Sequence, residues 1–254
     1  MLAFTATPIP AAAGLARPRT MNCCTLGLME YFLTTGWPWT GLGIAAVLLT
    51  LLLFTGLYRS NTRLPRFQDL GWLAWLAIPL YQLHQFEEHG IDLLGRHYAF
   101  REAVCSLLGF PDIFTCPVPV SFITAVNLGT VWAGILLSAS LGRRRPLVAL
   151  SAYATPFVNG VIHTIPAIVR LQYNPGLGTA IVLFLPVSIW VFRTALRQRA
   201  VAFRGVARVV AAGVVLHIVM IGSLFAFIHG AIGEALLAVI QVVNGVVPAA
   251  FALW

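Results

Sequence analysis

Seven apolar runs recur along this sequence, and they constrain its fold more than any other feature. Each is close to the length of about 20 residues that a helix needs to cross a bilayer. They lie at 38–58, 71–90, 120–141, 147–169, 177–196, 209–229 and 232–253. Hydrophobic residues make up 59% of the 254 positions and charged residues 9%, which is too few to cover the surface of a soluble domain. The sequence therefore predicts an all-α fold, a polytopic transmembrane helix bundle of about seven spans.

The beginning of the sequence differs from the rest. Residues 1–20 are rich in alanine, proline and threonine, and they lack the charged-then-apolar order of a secretion signal. We predict that 1–36 is a disordered leader, or that the start codon is assigned too early and Met21 or Met29 is the true start. Residues 37–254 are then one transmembrane helical domain.

Arginine supplies all 16 basic residues, with no lysine, and the net charge is +8. Short arginine clusters beside apolar spans stay cytoplasmic and meet anionic headgroups. Eleven arginines follow the first, third and fifth spans: Arg59, Arg63, Arg66, Arg143, Arg144, Arg145, Arg193, Arg197, Arg199, Arg204 and Arg208. We predict a multi-pass protein of the cell membrane with its N-terminus outside and its C-terminus in the cytoplasm. Membrane lipids are the expected partners, and no basic solvated domain favours nucleic acid.

The longest connection, 91–119, contains the stretch HYAFREAVCSLLGF. Its pattern predicts a short amphipathic helix that lies on the membrane surface or caps the bundle. Cys105 and Cys116 lie in this connection. They either form a disulfide in an oxidising compartment or are two unrelated small residues.

The stretch YQLHQFEEHGID gathers ionisable residues that are rare elsewhere, since the chain has only 8 acidic residues and 6 histidines. His84, Glu87 and Glu88 stand at i, i+3 and i+4 and share one helix face. Ionisable groups cost about 2.5–3.5 kcal/mol each at the centre of a membrane, so the cluster indicates a functional site. His89 and Asp92, nearer the outer end, are expected to be solvated at headgroup level.

A second polar pair, Asn159 and His163, lies on the fourth apolar run with a spacing of four. On the predicted orientation, His84 and His163 both lie about 9 Å below the outer ends of their helices. Asn127 on the third run has a similar depth, and this set favours one shared site in the outer half of the membrane. His217 and Asn127 are equally consistent with a site and with helix packing.

Imidazole and carboxylate at matched depth are typical of a divalent metal site. The predicted ligands are His84, His163 and one or both of Glu87 and Glu88, with His229 as a further imidazole. Zinc accepts two histidines and a glutamate and leaves a position open for water, whereas iron or manganese accepts more carboxylates. The second glutamate is expected to act as a general base.

Two further residues are predicted to support this site. Asn159 would orient a ligand or donate a hydrogen bond to an oxyanion. Arg170, at the outer end of the fourth run, is expected to pair with one of the two glutamates.

These residues carry a family resemblance. The sequence resembles a family of bacterial and archaeal membrane proteins named for the HXXEE motif, here HQFEE. Two further motifs of that family, NxxxH and YxPG, follow in order as NGVIH and YNPG. The resemblance covers about 70–229 and implies a membrane enzyme of undefined reaction, with a later histidine that His217 or His229 would supply. In YNPG, Pro175 and Gly176 suit a tight turn, and Tyr173 is expected to fold over the site.

The sequence is similar in a looser way to intramembrane proteases of the CAAX-processing type. Those carry a glutamate pair followed by arginine, but Asp92 stands at that position here. Phe225 and His229 give only one FxxxH motif. The reversed charge argues against this assignment.

The favoured prediction is a metal-dependent membrane hydrolase whose site opens to the outer leaflet and acts on a lipid or a small amphipathic substrate. The alternative is a transporter or ion-translocating protein that uses the same histidines and glutamates as a proton or cation site. A third hypothesis is a binding or assembly protein with a vestigial site.

Overall fold

The computed structural model describes residues 28–253, and all the regular secondary structure in this part of the chain is helical apart from one isolated bridge between Ile91 and His97. The helices are α1 Leu28–Phe54, α2 Leu70–His89, α3 Ala99–Leu107, α4 Val120–Gly142, α5 Pro146–Ser151, α6 Ala154–Arg170, α7 Leu177–Arg197, α8 Phe203–Ile228, α9 Glu234–Asn244 and α10 Val247–Leu253. The predicted all-α class is confirmed.

Five stretches are long and apolar enough to cross a membrane: α1, α4, α7, α8, and α9 with α10 together. The other two predicted spans are helical, but they are not both long enough and apolar enough to count as candidate membrane spans. The second half of α2 carries glutamine, histidine and glutamate, and α6 has 17 residues and follows a break at 152–153. The described residues thus fit a membrane protein with five candidate spans, and a total of seven stays a prediction.

The first helix begins earlier than predicted. Residues 28–36, assigned to the leader, are part of α1. The remainder of the predicted leader, 1–27, lies outside the described residues, as does the proposed start at Met21.

Helix α2 lies at the centre of the bundle, and most of its side chains are buried. Asp69 caps its N-terminus by accepting hydrogen bonds from the backbone of Gly71 and Trp72 at 3.0 and 3.3 Å. Leu73 and Ala77 are fully buried in the main hydrophobic core. Because neighbouring helices surround α2, its polar C-terminal half is enclosed by protein.

The short helix predicted in the long connection is confirmed as α3. Cys105, on α3, forms a disulfide with Cys116, so the predicted pairing of these cysteines is present and the compartment that they face stays a prediction. Both lie in a small apolar cluster with Phe122, Leu224 and Leu237. The disulfide thus lies within this apolar cluster and holds α3 against it.

The two ends of the bundle differ in chemistry. The connection 171–176 between α6 and α7 lies beside the end of α2, where His84 and His163 are found; we call this the histidine end. The α4–α5 turn, the start of α8 and the end of α10 meet at the opposite end, which we call the arginine end after Arg144, Arg145, Arg204 and Arg208.

Candidate metal centre

Three side chains from two helices converge at the histidine end: His84 and Glu88 of α2 and His163 of α6. The Nε2 atom of His163 lies 2.9 Å from Glu88 Oε1, and Nε2 of His84 lies 3.4 Å from Glu88 Oε2. The two imidazole centroids are 5.0 Å apart. One ligand atom from each residue lies within 4.8 Å of the others, and all three residues are buried. The spacing of four residues on α2 places His84 and Glu88 on the same face.

The hydrogen bonds of His84 fix its tautomer. Its Nδ1 lies 2.8 Å from Thr179 Oγ1, and that hydroxyl donates to Glu87 Oε2 at 2.6 Å. Since the threonine proton is engaged, the hydroxyl oxygen accepts from His84, which therefore carries its proton on Nδ1. The Nε2 atom presents a lone pair to the centre.

His163 is held in the same way by Asn174 of the connection between α6 and α7. The Asn174 amide nitrogen donates to the His163 carbonyl at 3.0 Å, so its Oδ1 is the atom that meets His163 Nδ1 at 2.6 Å. An oxygen can only accept, so Nδ1 of His163 also carries the proton. Its Nε2 lone pair faces Glu88.

Two nitrogen lone pairs and a carboxylate thus face one another across short distances. The Asn159 amide can donate to the His84 nitrogen, and a proton or a metal ion between His163 Nε2 and the Glu88 carboxylate would relieve the repulsion of that pair. Two histidines with their second nitrogens held by hydrogen-bond acceptors, together with a carboxylate, are the ligand set of catalytic zinc sites. The residues therefore fit a divalent metal.

Glu87 points away from this centre, towards the start of α7. Its two oxygens accept from the Tyr173 hydroxyl at 2.9 Å, the backbone nitrogens of Gly178 and Thr179 at 2.9 and 2.7 Å, and the Thr179 hydroxyl. A carboxylate at a helix N-terminus satisfies free N–H groups and meets the positive end of the helix dipole. This corrects the prediction that Glu87 is a ligand or a free general base, because all of its acceptor positions face donors.

The backbone of Gly176 packs directly against the side chains of the centre. Its φ of +92° is in the region that favours glycine, and an added Cβ would lie 2.7 Å from Glu88 Cγ and 2.8 Å from His84 Cε1. Tyr173 of the same turn accepts from the backbone of Leu93 at 3.1 Å besides donating to Glu87. Partial burial raises the pKa of the Tyr173 phenol, and the Glu87 carboxylate raises it further, so the hydroxyl stays protonated as a donor.

Asn159, one turn before His163, lies beside the centre. Its amide nitrogen is 3.0 Å from His84 Nε2 and 3.1 Å from the Tyr81 hydroxyl. The amide therefore lies next to the His84 nitrogen that faces Glu88, with a donor directed at the centre.

A second polar network joins the centre from α4. Trp132 donates to Gln85 Oε1 at 2.6 Å, Gln85 donates to Asn127 Oδ1 at 2.7 Å, and Asn127 Nδ2 lies 3.2 Å from His89 Nε2. His89 Nε2 is also 3.4 Å from Glu88 Oε2. Asn127 thus contacts His89, and His89 in turn contacts the Glu88 carboxylate.

His89 and Asp92 are not solvated as the sequence predicted. His89 is 7% exposed and packs between Trp37 and Phe100, at centroid distances of 5.0 and 4.5 Å. Asp92 is 5% exposed and pairs with Arg96 at 2.8 Å. Desolvation alone would raise the pKa of Asp92, but the backbone and guanidinium of Arg96 hold it below its ordinary value. Tertiary packing of α3 and the 91–98 turn covers both residues.

Three other predicted site residues are not among the three that converge at the centre. His229 is exposed at the end of α8, where its ring stacks on Phe225. His217 is buried, and its Nδ1 bonds to the carbonyl of Gly213 one turn earlier. Arg170 is exposed, and among residues 28–253 it forms no ion pair with a carboxylate, which corrects the predicted pairing with a glutamate.

The sequence reasoning missed Thr179, Asn174 and Gln85. Thr179 is the third residue of α7, and a hydroxyl at a helix start is a recognisable signal for bonding near the N-terminus. Asn174 stands inside the YNPG motif, and Gln85 precedes His89 by four residues on the same face of α2. Only the fold shows which side chains these residues meet.

One family match accompanies this geometry. The model of a family described as protein of unknown function with HXXEE motif matches residues 75–191. That range contains His84, Glu88, Asn159, His163 and Gly176. Comparison with curated proteins and with solved structures gave no match.

Proposed function

Because the region 75–191 belongs to the HXXEE-motif family, whose function is unknown, we propose that this chain is a membrane-embedded, metal-dependent enzyme. The observation that carries the proposal is the convergence of His84 Nε2, His163 Nε2 and the Glu88 carboxylate, with both Nδ1 atoms already bonded elsewhere. Zinc is the first expectation for two imidazoles and one carboxylate, and iron or manganese the next.

The proposed reaction is hydrolysis. A divalent metal in such a site supplies Lewis-acid activation of water and of a carbonyl or phosphoryl oxygen. Glu88 and the two histidines hold the metal, and Asn159 donates a hydrogen bond to a substrate oxygen. Glu87 positions rather than reacts, since it anchors Tyr173 and Thr179 and, through Thr179, orients His84.

The proposed substrate is a lipid or a small amphipathic molecule. The connections that carry the site are bordered by Leu93 and Leu171, which are 68% and 89% exposed. Apolar side chains at the mouth of a polar centre suit a substrate with one polar group and an apolar remainder. The ligands are nearly covered, so the Tyr173–Gly176 turn has to move for such a substrate to enter.

We further propose that the histidine end faces the outside of the cell membrane. The disulfide between Cys105 and Cys116 lies at this end, and disulfides persist in oxidising compartments. The arginine end would then be cytoplasmic, in agreement with the placement of positive charge.

Metal content is the decisive measurement. Elemental analysis of the purified protein should find about one divalent metal per chain in the wild type and little in His84→Ala or His163→Ala. His229→Ala is the matched control, because this exposed histidine lies apart from the centre, and it should retain the metal. A metal-free wild type, or equal loss in the control, would refute the metal site.

Hydrolysis is tested separately. Metal-loaded protein in liposomes should release a water-soluble or fatty-acid product that mass spectrometry detects, and Glu88→Gln should abolish the release. If the loaded wild type releases nothing while it shows a pH-dependent ion flux that is lost in Glu88→Gln, the transport alternative replaces the enzyme.

A further inference from the structure

A cavity of about 670 Å³ opens at the arginine end of the bundle. The α4–α5 turn contributes Arg144 and Arg145, and the first turns of α8 contribute Arg204 and Arg208. Among the residues that the structure describes, no acidic side chain lines the cavity. This volume lies within the range of about 300–1,000 Å³ that is usual for small-ligand sites.

The four arginines line the same cavity from two sides. Arg204 and Arg208 stand four apart on α8 and share a face, whereas Arg144 and Arg145 lie on the wall formed by the α4–α5 turn. Among residues 28–253, none of the four forms an ion pair with a carboxylate. The guanidinium fork matches the geometry of phosphate oxygens, so the four side chains suit a phosphate group.

The start of α8 adds a second attraction for an anion. This helix runs for 26 residues from Phe203, and its N-cap residue, Ala202, provides no side-chain hydrogen bond. The positive end of its dipole therefore lies beside the cavity, which Ala202, Arg204 and Gly205 help to line. Helix N-termini of this kind bind phosphate groups.

The rest of the lining is apolar. Leu147, Val201 and Leu253 contribute to the cavity beside the arginines. The cavity also lies at the ends of α4, α8 and α10, which belong to candidate membrane spans, so with these helices across a bilayer it would lie near the lipid headgroups. A ligand with a phosphate and an apolar part fits this combination better than free phosphate does.

We propose that the arginine end is a binding site for the phosphate group of an anionic phospholipid. The arginines and the start of α8 surround the phosphate, and the acyl chains pass along Leu147 and Leu253. This site is separate from the histidine end and does not depend on the reaction proposed there.

Lipid binding to the purified protein in detergent tests the site. Native mass spectrometry should show phosphatidylglycerol bound more tightly than phosphatidylcholine, and Arg204→Gln/Arg208→Gln should weaken the phosphatidylglycerol complex about tenfold. Arg143→Gln/Arg197→Gln is the matched control, because it removes the same charge from the same end at exposed positions that do not line the cavity. Its affinity should stay within about twofold of the wild type.

Three results would overturn the proposal. Equal weakening in both double variants would show general surface attraction, and equal binding of phosphatidylcholine would exclude recognition of net charge. If inorganic phosphate protects the protein from thermal unfolding as well as phosphatidylglycerol does, the ligand is free phosphate and not a lipid.

Discussion

Replacing Glu87 or Glu88 with glutamine, one at a time, separates the two neighbouring carboxylates by role. The structure assigns Glu87 to the start of α7 and Glu88 to the three-residue centre. Glu87→Gln should destabilise the fold, whereas Glu88→Gln should leave the fold nearly intact and abolish metal binding. The two variants have the same size and lose the same charge, so each serves as the control for the other.

The size of the first effect follows from the four donors that face Glu87. A glutamine keeps one oxygen, but its NH₂ group faces two donors and cannot accept from them. Hydrogen bonds to a charged acceptor contribute about 1.5–3 kcal/mol each, so the loss of two lowers the free energy of unfolding by about 3–6 kcal/mol.

Glu88→Gln should change the stability of the fold little and the metal binding strongly. The new NH₂ group can donate to the Nε2 lone pair of His84 or His163, so the change in stability of the metal-free protein should stay below about 1.5 kcal/mol. Metal binding should be lost, because a proposed carboxylate ligand is replaced by a weakly coordinating amide.

Equilibrium unfolding in mixed micelles, with elemental analysis of the same samples, measures both quantities. Equal stability of Glu87→Gln and the wild type would refute the role of Glu87 at α7. A larger destabilisation by Glu88→Gln than by Glu87→Gln would show that the roles are reversed.

Three further predictions use matched changes. Gly176→Ala should destabilise by about 1–3 kcal/mol more than Gly109→Ala in unfolding measurements, because both have positive φ but only the first places a Cβ against the centre. Replacing Cys105 and Cys116 by serine should cost about 2–3 kcal/mol in the same assay, the value expected for a short closed loop, and a reductant should then have no further effect. Since the folded state lowers the pKa of Asp92, its stabilising contribution is present above about pH 4 and is lost as the pH falls through the lowered value. The stability difference between the wild type and Asp92→Asn should therefore close in acid, and a constant difference would contradict the assigned pair with Arg96.

Helix periodicity and alternation of direction were enough to predict the helices and the position of His84 opposite His163. Both depend on local regularities: a spacing of four defines a face, and successive spans reverse direction. The difference between Glu87 and Glu88 could not be predicted in this way. Adjacent residues on a helix point about 100° apart, and only the placement of α7 decides which of them meets free N–H groups.

The failure for His89 and Asp92 has a different cause. Their position near a helix end is typical of exposure, but α3 and the 91–98 turn fold back over them. The packing of the 91–119 connection decides which residues of α2 it buries. The periodicity of α2 gives no information about that packing, so the burial could not be predicted from it. The predicted pairing of Arg170 failed because Glu87 obtains neutral donors from the chain that follows Arg170.

The four hydrogen bonds to Glu87 also set an order on the synthesis of the protein. They join residues 86 to 92 positions apart along the chain. At about 5–20 residues per second, a ribosome needs roughly 5–20 s after making α2 to produce the start of α7. For that interval the nascent chain carries a carboxylate whose donors do not yet exist, so Glu87 gains its final partners only after the start of α7 has been translated.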